Sequence, residues 1–389
     1  MRPGEVGGPL KLKLDPNPHF KKLPSTYLAG SGRAARNLFV KADFATQRAF
    51  FAARPELQPT PTRLLPALAQ RLGIRALAIK DETQRFGLNA FKAVGATFAI
   101  ATLRARGVLH PGATLACASE GNHGRAVARA ARDGGCKAVV YVAESVAEAR
   151  VAAIEAEGAR VHKVGGTYDD AVRTMVADAG REGWTIISDT SWPGYDAIPR
   201  LIMLGYTRMF DEAESQMRTM PDVIFVQAGV GGLLAAAACW AEERYAGRRP
   251  RVVAVEPAAA ACVQASARAN APTTLRGPFE TVMGGLRCGE MSPVAFDAIQ
   301  SIVDGYIAIE DDWAFDAIRL LAAPMNTDPQ MQAGASGAAS LAGLLATLRE
   351  PSAGQFRQGI GLDEQSSVLA IATEGVTDPA AFSAVVSRP

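Results

Sequence analysis

One lysine stands where chemistry could use it. Lys92 lies in the stretch 80–96, KDETQRFGLNAFKAVGA, just after the turn-forming Gly87–Asn89 and at the start of a helical run, Ala93–Arg106. A cation at a helix N-terminus opposes the helix dipole, so the position calls for a reason. Its neighbours Phe91, Ala93 and Val94 are apolar and predict partial burial. Burial lowers a lysine pKa and frees the amine as a nucleophile for Schiff-base chemistry. A plain surface lysine is the competing reading.

A second feature is the loop Gly229–Gly232 (GVGG), which precedes the helical run LLAAAACWAEE. Glycines let the backbone approach a phosphate, and the N–H groups of a helix start point at the anion. The loop lacks the Lys-Ser/Thr ending of a nucleotide P-loop and the spacing of a dinucleotide fingerprint. A phosphate held here would belong to something other than ATP or NAD. A tight turn without a ligand is the alternative. Two further segments carry unusual polar residues, Ser119–Gly124 (SEGNHG) and Thr373–Gly375 (TEG).

The surrounding elements explain how such distant segments could meet. Ala138–Ala143, Arg160–Val164, Trp184–Ser188, Asp222–Gln227, Arg251–Val255 and Ser367–Ala372 read as strands. Helical patterns lie between the first of these, at Val127–Asp133, Val146–Glu157 and Tyr168–Arg181. The alternation predicts an α/β fold with mostly parallel sheets covered by helices. Ligands of such sheets bind beyond the carboxyl ends of strands, where the polar loops above fall.

At 389 residues the chain exceeds one ordinary core, so two domains are expected. Its 41 basic and 39 acidic residues leave a net charge of +2, which argues against nucleic-acid or anionic-membrane partners. The five cysteines fit neither a zinc site nor a disulfide framework, and the histidines show no metal-ligand spacing, so no metal is expected. No apolar stretch at the start resembles a signal peptide, and the expected location is the cytoplasm.

Six ordered motifs resemble a known family. The Phe91-Lys92 pair, the Ser119–Gly124 loop and the Gly229–Gly232 loop occur in this order in fold-type-II pyridoxal-phosphate (PLP) enzymes, and the longer motifs are Asn89–Ala96 (NAFKAVGA), Glu120–Arg125 (EGNHGR), Asp189–Tyr195 (DTSWPGY), Gln227–Gly231 (QAGVG), Gly285–Gly289 (GLRCG) and Ala372–Gly375 (ATEG). These enzymes include threonine and serine dehydratases and cysteine synthases. The motifs look closest to diaminopropionate ammonia-lyases, and the resemblance spans about Phe20 to Val386. It implies the two-domain fold of tryptophan synthase β-like enzymes. Residues 1–24 would form an arm, 25–92 and 190–389 a large PLP-binding domain, and 93–189 a small mobile one. It also implies a homodimer.

The resemblance assigns roles by position. Lys92 would carry PLP as a Schiff base beside Phe91. Asn122 would lie at the ring hydroxyl. Gly229, Val230, Gly231 and Gly232 would surround the phosphate, and Thr373 would face the pyridine nitrogen. A neutral hydroxyl there favours prompt β-elimination over transamination. Ser119, Asp189 and Tyr195 would touch a small amino-acid substrate, Asp189 through its amine. Glu120 would be the acid/base opposite Lys92, so that both Cα stereoisomers could react. The implied reaction is β-elimination of ammonia from 2,3-diaminopropionate, giving pyruvate and ammonia. The alternatives are elimination or β-replacement on another β-substituted amino acid, or a non-catalytic PLP-binding protein. Two departures stand out: the ammonia-lyase pattern has Asp at Glu120 and Glu at Ala335.

Overall fold

The computed structural model describes residues 25–31, 35–119, 121–217 and 219–387. The expected N-terminal arm, residues 1–24, and Glu120 lie outside the described residues. Among the described residues, eleven strands form two sheets. They are β1 (Thr26–Ala29), β2 (Thr62–Leu64), β3 (Ala76–Asp81), β4 (Thr114–Ala118), β5 (Lys137–Ala143), β6 (Arg160–Val164), β7 (Thr185–Ile186), β8 (Val223–Gln227), β9 (Arg251–Pro257), β10 (Gly305–Ile309) and β11 (Ser367–Ala372). The larger sheet has the order β1-β10-β9-β8-β11-β3-β2 and the smaller β6-β5-β4-β7. All pairings are parallel except those of the two edge strands, β1 and β2. The chain of the smaller sheet is inserted between β3 and β8.

Burial on both faces explains the apolar runs. Along β8, Ile224 and Val226 point into one core, while Val223 and Phe225 point into the other. The second core is completed by Leu341 and Leu345 of the helix Ala335–Arg349. In β4, Leu115 and Cys117 join the first core, and Ala116 packs on Ala171 and Met175 of the helix Tyr168–Glu182. Each fully buried Val, Ile or Phe contributes roughly 1.5–3 kcal/mol.

The first core runs from one sheet to the other. It contains Val94 and Phe98 of the helix Lys92–Ala105 together with Ile202 and Met209 of the helix Ala197–Gln216. These helices cross at glycines. A Cβ added to Gly95 would lie 2.5 Å from Tyr206 Cε1 and 2.7 Å from the Ile202 carbonyl oxygen. The helix that starts with Lys92 is thereby fixed at its first turn.

A buried ionic cluster anchors the approach to Lys92. Lys80 Nζ lies 2.6 Å from Glu212 Oε2, and Arg85 Nη2 lies 2.6 Å from both Glu82 Oε1 and Glu212 Oε2. It ties the segment after β3 to the helix Ala197–Gln216.

The strand expected at Trp184–Ser188 shortens to Thr185–Ile186. The ladder ends because the Ser188 N–H donates to the Tyr195 hydroxyl, 2.9 Å away, instead of to a neighbouring strand. No described helix is long and apolar enough to cross a membrane.

Candidate active site

The carboxyl ends of β3, β4, β7, β8 and β11 converge, and each feeds a segment that carries chemistry. Lys92 opens its helix just beyond an antiparallel contact between Ala90 and Glu374. The Phe91 N–H donates to the Thr373 carbonyl at 3.0 Å, and the Gly375 N–H donates to the Asn89 carbonyl at 2.8 Å. Lys92 and the 373–375 loop are therefore held as one unit. The Lys92 ammonium sits 5.0 Å from the Phe91 ring centroid.

The Lys92 amine donates to Asp189 Oδ2. Their side chains are 22% and 17% exposed, so both are reachable. Burial pulls the Lys92 pKa down, but the Asp189 carboxylate outweighs it and holds the ammonium above its ordinary range. Burial alone would raise Asp189, yet His123 and Lys92 together keep it well below the usual carboxylate range. The expectation that burial lowers the Lys92 pKa is thus reversed, because an ion pair forms with a residue 97 positions away. His123 stands behind Asp189. Its Nε2 lies 2.8 Å from the Ile187 carbonyl, and its Nδ1 is 3.9 Å from Asp189 Oδ2.

The glycine loop offers the opposite charge preference. Gly231 has φ +89°, and a Cβ there would come within 2.8 Å of Ile299 Cδ1. A Cβ on Gly229 would meet Cys288 Sγ at 3.0 Å. Among the described residues, the N–H groups of Gly229, Gly231 and Gly232 have no acceptor. They lie at the start of the helix Gly232–Tyr245, where N–H groups without an intrahelical acceptor suit an anion. The Val230 carbonyl is taken by the Ser292 N–H at 2.7 Å. Burial pushes the Cys288 thiol up to about 12, which disfavours its thiolate.

The remaining expected residues divide into two groups. Thr373 is 3% exposed and accepts from Gln227 Nε2 at 2.8 Å, which fixes its hydroxyl. Asn122 Nδ2 donates to Glu374 Oε2 at 2.5 Å. These two join the convergent segments. Ser119 and Tyr195 are used locally. The Ser119 Oγ accepts from the Gly124 N–H at 2.9 Å and from the Gly121 N–H at 3.2 Å, which caps the turn into the Asn122 helix. The Tyr195 hydroxyl donates to the Ile186 carbonyl at 2.9 Å and accepts from Ser188, and its ring stacks on Trp192 at 4.2 Å. Tyr195 thereby braces the loop that carries Asp189. Glu374 was not among the expected site residues. Its signal is a carboxylate placed inside the apolar-flanked TEG turn. Among the described residues, no group of three or more His, Cys, Asp or Glu could hold a metal ion.

A reachable lysine side chain and helix-start N–H groups suited to an anion, joined by fixed polar contacts, fit an aldehyde that carries a phosphate. Residues 53–373 match the model of the pyridoxal-phosphate dependent enzyme family. This chain belongs to that family. Its cofactor is pyridoxal 5'-phosphate, and the residues present suit it. The chain is 34% identical over 367 residues to a diaminopropionate ammonia-lyase of Escherichia coli, covering 90% of this chain and 92% of the relative. It is 33% identical to the Salmonella typhimurium enzyme of the same name, over 87% of this chain and 90% of that one. A crystal structure of the Escherichia coli enzyme in complex with an aminoacrylate-PLP azomethine reaction intermediate superposes with a TM-score of 0.86 at 33% identity. It covers 94% of this chain and 97% of that one. The fold is of type II, mixed α/β with mostly parallel sheets.

Proposed function

We propose that this enzyme is a carbon–nitrogen lyase that eliminates the β-amine of 2,3-diaminopropionate, yielding pyruvate and two ammonia molecules. The observation that carries the reading is Asp189. It is a carboxylate held ionised beside Lys92, and it already holds an ammonium. Once Lys92 is joined to the cofactor, Asp189 has no ammonium partner among the described residues. A substrate with a second ammonium supplies one.

When bound, the cofactor supplies an electron sink for the pair left at Cα. The chain's residues do the rest. Gly229, Gly231 and Gly232 would hold the phosphate through their N–H groups, with Val230 between them. Thr373 would offer the pyridine nitrogen a neutral hydroxyl, and Asn122 would serve the ring hydroxyl. Phe91 packs beside the lysine. Lys92 takes the proton from Cα on its side. Asp189 keeps the β-nitrogen protonated, so it departs as ammonia with the C–N electron pair. Glu120, which lies outside the described residues, is proposed as the acid/base on the opposite face; Glu120→Gln would then slow one stereoisomer selectively. Ser119 and Tyr195 support the substrate side through their loops. Movement of residues 93–189 against the rest would exclude water during the reaction. A homodimer working in the cytoplasm is part of the proposal. All five cysteines are free thiols, which suits a reducing compartment.

A serine- or threonine-dehydratase-like activity is the second reading, and Ala335 favours it. That residue stands where the resemblance expects a carboxylate. The test is a panel of both diaminopropionate isomers, serine, threonine and O-acetylserine, with 2-oxo acid and ammonia both measured. Two ammonia per pyruvate from diaminopropionate, at least about tenfold faster than from serine, is expected from the loss of one charged contact. Faster turnover of serine or threonine would overturn the substrate assignment.

A further inference from the structure

Glu374 is a carboxylate that the reaction as described leaves unused. It is 8% exposed, and its backbone is clamped. Its carbonyl accepts from the Gly334 N–H at 3.2 Å, and a Cβ added to Gly337 would lie 2.1 Å from that same oxygen. The start of the helix Ala335–Arg349 therefore presses directly on Glu374. Its side chain is held as firmly. The Ser336 hydroxyl accepts from the Gly285 N–H at 2.9 Å, so its own hydrogen is available to the Glu374 carboxylate. A Cβ on Gly285 would stand 3.2 Å from Ser336 Oγ and 3.7 Å from Glu374 Oε2, so a larger residue would crowd the pair.

Onto this fixed carboxylate Asn122 donates its Nδ2 at 2.5 Å, across 252 residues of sequence. An ionised carboxylate only accepts hydrogen bonds, so the asparagine must turn its amino group toward it. A flipped amide would set two oxygens face to face in a buried place, which costs the hydrogen bond and leaves an acceptor unpaired.

We propose that Glu374 is a positioning residue that sets the orientation of the Asn122 amide toward the cofactor. The inference rests on the reading above in which Asn122 meets the ring hydroxyl. Burial holds the Glu374 carboxyl above its ordinary range, and the donors Asn122 and Ser336 offset part of that rise. The Asn122–Glu374 bond joins the first turn of the Asn122 helix, which packs with the smaller sheet, to the loop after β11 of the larger one. Cofactor contact and the approach of the two sheets share one hydrogen bond.

A double-mutant cycle with no amino-acid substrate present tests this. The PLP dissociation constant and the absorption band of bound PLP are measured for wild type, Asn122→Ala, Glu374→Ala, Glu374→Gln and the Asn122→Ala/Glu374→Ala double variant. Loss of a hydrogen bond to a charged group should weaken PLP on the order of ten- to a hundredfold in Glu374→Ala, with a displaced band. Glu374→Gln keeps an acceptor oxygen and should recover most of both. The double variant should match Asn122→Ala alone, because Glu374 acts through Asn122. If Glu374→Ala does not fold, Glu374→Met keeps the bulk without the acceptor and takes its place. Additive losses, or an unchanged dissociation constant and band at position 374, would overturn the proposal. An Asn122→Ala protein with wild-type affinity and band would overturn it together with the Asn122 assignment. None of these results bears on which amino acid is the substrate.

Discussion

Lys80 and Lys92 are twelve positions apart on the same stretch of chain, and both face carboxylates, but they end in different states. Lys80 is 1% exposed and is surrounded by Glu82, Glu212 and the Thr60 carbonyl. Burial pulls its pKa down, and the two carboxylates do not restore it. Lys92 is 22% exposed, has Asp189 as its one carboxylate partner among the described residues, and is held above its ordinary range. A depressed pKa would therefore pick the wrong lysine. Reach and spare valence decide instead. Lys80 belongs to a closed cluster in which Arg85 already bridges the same two carboxylates. Lys92 pairs with Asp189, whose carbonyl oxygen lies 3.8 Å from where a Cβ on Gly232 of the glycine loop would stand.

The closed cluster should answer a substitution with stability. Arg85 is fully buried, and Arg85→Met leaves Glu82 and Glu212 with too little positive charge. Breaking such a buried set costs about 3–5 kcal/mol, measured by urea unfolding, while PLP capture per folded molecule stays unchanged. A loss under about 1 kcal/mol would mean that the cluster behaves like a surface pair.

The open pair should answer with pH dependence. A lysine whose pKa is raised is neutral, and so able to condense with an aldehyde, only at alkaline pH. Capture of PLP by the apo protein should therefore speed up steadily as pH rises from 7 to 10. Asp189→Asn removes the main group that raises Lys92 and leaves burial, which lowers it, opposed only by Tyr206 and Cys288. At pH 8 the variant should capture PLP at least about tenfold faster, yet lose its preference for diaminopropionate over serine. Stopped-flow absorbance at several pH values reads the first effect. Slower capture in the variant would reverse the sign and break the contrast between the two lysines.

The smallest effect is expected at Tyr195. Tyr195→Phe removes the bonds to Ile186 and Ser188 and should cost about 1 kcal/mol of stability, with KM nearly unchanged. A large rise in KM without a shift in melting temperature would instead make Tyr195 a direct substrate contact.

Much of this arrangement is legible in the sequence, and the physical reasons are specific. Strand β11 begins and ends where its apolar run does, because a parallel strand buried on both faces leaves no other pattern, whereas β6 keeps the expected bounds as a largely exposed edge strand. Lys92 and the glycine loop show through because each breaks a local rule, a cation at a helix start and a cluster of glycines before one. What the sequence conceals is pairing across distance. The Lys92–Asp189 contact spans 97 residues and that of Asn122 with Glu374 spans 252, and neither leaves a local periodicity. For the same reason the direction of the Lys92 pKa could not be read from its apolar neighbours. β7 was overextended because the Tyr195 hydroxyl, nine positions after Ile186, takes over from the ladder.

The central claim is that Lys92, not its closed neighbour, carries the cofactor. Purified protein saturated with PLP should absorb at roughly 410–420 nm, and borohydride should remove that band. Peptide mapping after reduction should then place a single pyridoxyl group on Lys92, with Lys80 unmodified. A pyridoxyl group on any other lysine, or a saturated protein that borohydride leaves unlabelled, would contradict the account.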